Sequence, residues 1–290
     1  MGEAIDFDRR ITIAFKLLEK TPAGSFPVPS ALSGALEKLV PGATQSPRID
    51  VEPKIAALFT TAAVELWIRA THSFLVSAAL TKTSPIWASV TGYYSSHYSV
   101  RAYAHLLGHF QLFARKKVVH LSIDEGDKFR CNFEQKNKFG REHEFYWRTV
   151  KKEEPFKSSQ LFTLNERITP TGESDCRHRE KANYADHLSG DLPAFNSLRE
   201  ADLKDRLDRL SKIDATVPQI PRADKFPDVD RVQLVAYQRL VHFRRTVDRN
   251  VDMKKNRFWK KNRDPQWATN WINFQLPASR NILGELGQQI

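Results

Sequence analysis

Cysteine is scarce in this chain of 290 residues: the two present, Cys131 and Cys176, are far apart and outside any Cys-x-x-Cys spacing. That spacing argues against a disulfide framework and a cysteine zinc site, and it fits a reducing, cytoplasmic setting. A long uncharged apolar run is missing too. The most apolar stretch, residues 55–80, carries Glu65, Arg69 and His72, so no membrane span is expected. Residues 83–100 are uncharged but rich in Ser, Thr and Tyr, which suits a buried soluble helix. Met1-Gly2-Glu3-Ala4-Ile5-Asp6 has neither the basic start nor the apolar stretch of a secretory leader. There is no Gly-rich phosphate loop, no Gly-x-Ser-x-Gly elbow and no Asp-rich metal motif, which disfavours nucleotide hydrolysis and two-metal nuclease chemistry. His105 and His109 are four apart, as helical metal ligands can be. No acid within that segment completes a set, so neither a metal nor another cofactor is expected.

Cationic charge, by contrast, is abundant and unevenly placed. Of the formal net charge of +11, residues 231–263 hold eleven Lys or Arg against two acids, Asp248 and Asp252. Such asymmetry points to an acidic partner, with a solvated helix face as the bland alternative. Arg244, Arg245, Arg249, Lys254, Lys255, Arg257, Lys260, Lys261 and Arg263 are interleaved with Phe243, Phe258, Trp259, Trp267 and Trp271. Cations that track phosphates and rings that stack on bases are the composition of single-strand binders, RNA or DNA. Equally, the tryptophans can pack this tail onto the protein and leave the cations in water.

Hydrophobic spacing predicts a mainly α protein. Helices are expected over residues 4–19 and 30–39, then in a long helix capped by Asp50. Ser84-Pro85 is a helix start of the hydroxyl-then-proline kind, and Gly108 can end that helix. The two long helices should form an antiparallel hairpin. Val118–Ile123, the turn Asp124–Asp127 and Lys128–Phe133 read as a β-hairpin, and Glu142–Val150 as a third strand. Helices are expected again around 175–188 and from Ser197, where Ser197 and Glu200 form a capping box. Asp228–Val247 should turn Val232, Val235, Leu240, Phe243 and Val247 inward. The expected organisation is one helical domain, 1–225, with a small antiparallel β insertion at about 117–150, followed by a basic aromatic helical segment, 226–290.

Two polar stripes stand out. On a helix, Tyr94, His97, Arg101 and His105 fall on one face. Such a stripe has to meet a cleft, another chain or a complementary acceptor, unless the groups are satisfied within the core. Farther on, Arg177-His178-Arg179-Glu180-Lys181-Ala182-Asn183-Tyr184-Ala185-Asp186-His187 places a guanidinium, an amide, a phenol and an imidazole at helical spacing. Arg suits bidentate phosphate binding, and His exchanges protons near neutrality.

Tyr93-Tyr94-Ser95-Ser96-His97-Tyr98-Ser99-Val100-Arg101-Ala102, after an alanine-rich helix, resembles one motif of the HEPN superfamily in its nucleotidyltransferase-associated branch. Arg179-Glu180-Lys181-Ala182-Asn183-Tyr184 resembles the other. The resemblance covers about residues 55–108 and 175–190. It implies a HEPN-like helical bundle that commonly dimerises around a polar cleft. It further implies a metal-independent ribonuclease of a bacterial toxin or anti-phage defence system, with Arg179, Asn183, Tyr184, His97 and Arg101 as catalytic residues. Catalytic members place a histidine closer behind the Arg than here, where seven residues separate Arg179 from His187. Arg115 and His120 have the catalytic spacing but lie at the start of a strand-like segment. The alternative is therefore a non-catalytic nucleic-acid-binding or scaffold subunit that docks a protein partner or a second copy.

Overall fold

The computed structural model describes residues 6–19, 29–40, 48–81, 84–124, 128–135, 142–157, 159, 162, 228–252 and 254–263. The expected helices at 175–188 and from Ser197, together with Arg179, Asn183, Tyr184, Trp267 and Trp271, lie outside these residues. What is described is mostly helical with one four-stranded antiparallel sheet. In chain order the elements are α1 (Phe7–Glu19), α2 (Pro29–Leu39), β1 (Arg48–Val51), α3 (Pro53–Leu80) and α4 (Pro85–Leu106). There follow β2 (His109–Leu112), a 3-10 turn (Phe113–Arg115), β3 (Lys117–Ile123), β4 (Phe129–Gln135), α5 (Glu142–Lys152), α6 (Glu154–Lys157), α7 (Asp228–Asn250) and α8 (Arg257–Arg263).

Local chemistry accounts for several boundaries. Pro53 and Pro85 each occupy a first helical position, where the missing N–H costs nothing. The Ser84 carbonyl accepts the first α4 bond from Ala88 N, as the expected start requires. Gly108 closes α4 at φ +82°, a left-handed conformation natural to glycine. The helical hairpin is antiparallel. Ser77 near the end of α3 donates to the Ala88 carbonyl near the start of α4, and Phe59 near the start of α3 meets His105 near the end of α4.

Contacts divide the chain into two compact units. The first comprises residues 1–67, 100–156 and 246–263. Its sheet runs β1-β4-β3-β2, with Val119 opposite Phe110 on one side and Phe133 on the other. One sheet face supplies Phe110, Leu112, Val119, Leu121, Cys131 and Phe133 to a core shared with Leu32 and Leu36 of α2 and Ile55, Phe59 and Ala62 of α3. The second unit comprises 68–99, 157–245 and 264–290. There Gln233 of α7 donates to the Ser77 carbonyl and to the hydroxyls of Ser77 and Thr81, and Phe74 packs on Tyr237 at 5.8 Å. Among the described residues, no helix is long and apolar enough to cross a membrane.

The hairpin at 117–135 is where the sequence places it, but two expectations are corrected. Glu142–Val150 is helix α5, not a third strand: Tyr146, Trp147 and Val150 are buried while Glu144 and Arg148 are exposed and paired at 3.4 Å across one turn. Consecutive Phe145, Tyr146 and Trp147 carry β propensity, and packing of one helical face overrides it. Asp50 does not cap α3. It lies in β1 and pairs with Arg130 of β4 at 2.7 Å. The sheet is thus more than a hairpin insertion, because β1 precedes the helical hairpin and β2 follows it directly.

Candidate nucleic-acid interface and polar clusters

The α4 stripe divides by environment. In the second unit, His97 is 2 % exposed and stacks on Tyr93 at 6.1 Å with the rings nearly parallel, while Tyr94 is partly exposed. In the first unit, Arg101 is partly exposed and its guanidinium lies 4.9 Å from the centre of the Tyr146 ring. His105 is 1 % exposed. Its Nδ1 lies 2.8 Å from the Arg101 carbonyl; a carbonyl only accepts, so Nδ1 carries the proton and Nε2 the lone pair. That Nε2 has no hydrogen-bond partner among the described residues. His105 borders a small cavity with Arg10, Phe59, Thr60, Gly108 and Leu121, so one acceptor and one guanidinium sit among mainly apolar walls.

Beside it, β2 and β3 set His109 opposite His120, with the rings stacked at 4.5 Å. His109 Nε2 lies 3.3 Å from Glu153 Oε1, and Arg10 donates to the Leu107 carbonyl at 3.4 Å. Sequence spacing alone misses this cluster, because cross-strand register and the α5–α6 junction assemble it. Among the described residues, no group of three His, Cys, Asp or Glu side chains is arranged to hold a metal ion. Cys131 is buried in the sheet, and burial pushes its thiol up to about 12, which leaves it an unreactive packing residue.

Burial, helped by the Arg101 charge, pulls His105 down to about 3; burial, then the charges of His109 and Arg10, pulls His120 down to about 4. The hydrogen bond from His109 holds the Glu153 carboxyl below its ordinary range. An unfolded histidine titrates near 6.5, so below that pH the unfolded chain binds protons that the folded chain refuses. Stability is therefore full above about pH 6.5 and falls as pH drops towards the folded-state values. Glu153 acts in the same direction at lower pH. The expected loss between pH 7 and pH 5 is on the order of 2 kcal/mol per histidine. Urea titrations at the two pH values check this, and His120→Gln should flatten the dependence by about half.

The basic C-terminal residues also divide. In the second unit, Arg244 is 2 % exposed and Arg245 is partly buried. In the first unit, Arg249, Lys254, Lys255, Arg257, Lys260 and Lys261 are all exposed. The two acids of that stretch are already engaged. Asp248 accepts from Trp259 Nε1 at 2.7 Å and pairs with Arg263 at 3.0 Å. Asp252 accepts from the Lys254 amide at 2.9 Å, which holds its carboxyl below the usual range, and lies 3.5 Å from Lys255.

Trp259, expected as a stacking ring, has no exposed surface. It packs on Phe15 at 5.8 Å and Trp67 at 5.4 Å. Asn256 fixes it there: its Oδ1 accepts from the Trp259 amide as a helix cap, and its Nδ2 donates to the Phe15 carbonyl. Of the two readings of these rings, packing holds for Trp259 and Phe258, the latter 9 % exposed. The segment therefore presents exposed cations while its described tryptophan, Trp259, is buried. No family model, curated protein or solved structure matches this chain.

Proposed function

We propose that this protein binds nucleic acid through its phosphates, using the exposed cations of residues 249–261, and that it does so without itself cutting the strand. The observation that carries the reading is the set Arg249, Lys254, Lys255, Arg257, Lys260 and Lys261, exposed together while Asp248 and Asp252 are tied up by neighbouring groups. A segment with seven cations and two acids between residues 246 and 263 attracts a polyanion and releases its counterions. Nothing in such a surface distinguishes one base from another, so affinity should follow salt more than sequence.

Anisotropy of a labelled single strand, followed as potassium chloride is raised, is the test. Four to six phosphate contacts, at about 0.7 counterions each, predict roughly 50- to 300-fold weaker binding between about 50 and 200 mM salt. Charge reversal at Lys254, Lys255, Lys260 and Lys261 together should abolish it. Binding that ignores salt, or survives the reversal, removes the proposal.

A second reading takes up the HEPN resemblance, which implies cleavage of RNA with Arg101 of α4 among the catalytic residues. Support comes from Arg101, a guanidinium left partly exposed and oriented by an aromatic ring. RNA cleaved in the presence of a chelator, and spared by an Arg179→Ala variant, would establish this reading in place of the non-catalytic one.

A further inference from the structure

Lys117, the first residue of β3, is 5 % exposed, and its ammonium has no hydrogen-bond partner among the described residues. Strand alternation puts it on the face of Val119 and Leu121, which belongs to the apolar core. Its cross-strand neighbours are Leu112 on β2 and Gln135 on β4. None of these supplies a countercharge. A buried ammonium without a partner is costly, and a well-packed apolar residue would serve the core better. Lysine at this place makes sense when an anion completes the pair.

The turn leading into Lys117 has the other parts of such a site. Phe113 keeps 52 % of its surface exposed, and Arg115 and Lys116 beside it are exposed too. Lys116 adopts φ +48°, a left-handed conformation that a lysine rarely takes, and its amide donates to the Phe113 carbonyl at 3.1 Å. The turn is therefore tight, with an aromatic ring and three cations within five residues.

Resting on the phosphate-binding reading above, we propose that the β2–β3 turn is a nucleotide subsite for single-stranded nucleic acid. Lys117, on its flexible stem, joins Arg115 and Lys116 around one phosphate, and Phe113 stacks on the adjoining base. A duplex keeps its bases stacked inside and cannot use the ring. This subsite supplies the stacking partner that Trp259 cannot, and it turns a general polyanion surface into one that prefers unpaired strands.

The test measures binding of an oligothymidine of about 15 nucleotides and of a duplex of equal length. Phe113→Ala should weaken single-strand binding roughly 5- to 100-fold, leave duplex binding unchanged, and be rescued by Phe113→Trp. Lys117→Met should raise the thermal midpoint of the free protein, because an unpaired buried charge is removed. It should also weaken oligothymidine binding and lower the salt slope by about 0.7. If both variants bind oligothymidine like the wild type while the four-lysine reversal abolishes binding, the subsite is overturned and the basic segment stands. If the wild-type protein binds neither probe, both proposals fall.

Discussion

Trp259→Ala is expected to destabilise the protein by about 3–5 kcal/mol, the range for removing a large aromatic side chain from a core. The indole has no exposed surface and contacts Phe15 and Trp67. Removing it leaves a cavity between α1, α3 and α8 and deprives Asp248 Oδ1 of its 2.7 Å donor. Trp259→Phe separates the two effects. It restores most of the packing but not the hydrogen bond, and should cost about 1–3 kcal/mol. Urea midpoints give both numbers. The informative companion measurement is nucleic-acid binding by the alanine variant at a temperature where it remains folded. A core residue leaves affinity unchanged there, whereas loss of a base-stacking ring would weaken it. Equal affinity for wild type and folded Trp259→Ala is the expected result.

Where one sequence period ran long enough, the fold could be read from it. Ile11, Ala14, Phe15 and Leu18 of α1 recur at helical steps and are all buried. So are Val232, Val235, Leu240, Phe243 and Val247 of α7. The hairpin of β3 and β4 showed itself through alternation on both sides of an acidic turn. What could not be read depends on pairing between distant segments. β1 and β2 have four residues each, too few to establish a period, and they become strands only because β4 and β3 offer them ladders. At α5, three adjacent aromatics mimic a strand, and only the exposure of Glu144 and Arg148 reveals the helix.

The site was legible in the same uneven way. A run of cations is visible as composition, and six of them do prove exposed in one compact unit. Which aromatic accompanies them is a matter of burial, which composition does not encode. Trp259 shares a helix with Lys260 and Lys261 yet faces the core, while Phe113, in an unremarkable Leu-Phe-Ala context, is exposed. Lys117 is less visible still. At the head of an apolar strand it reads as a polar boundary residue, and only its burial without a hydrogen-bond partner among the described residues marks it out. The stacked pair of His109 and His120 is equally hidden, since the two rings meet only through strand register.

Gly108→Ala should be the most damaging single-methyl change in the sheet. Gly108 sits where α4 hands over to β2, at φ +82°. Its carbonyl accepts from the Leu121 amide at 2.8 Å, which ties the connection to β3. An added Cβ would overlap the Leu121 carbonyl oxygen and come within 2.9 Å of the Leu121 Cβ. The left-handed conformation costs an L-residue about 1–2 kcal/mol, and the overlap adds about 1–3 kcal/mol because backbone cannot rotate away as a side chain can. The expected loss is about 2–5 kcal/mol, read from urea midpoints. Gly92 provides the contrast. It lies within α4, and a Cβ there would meet side-chain atoms only, Val232 Cγ1 at 2.8 Å and Ser77 Oγ at 3.0 Å. Gly92→Ala should therefore cost less than Gly108→Ala. A reversed order would mean that the α4–β2 corner yields more readily than its bond to Leu121 implies.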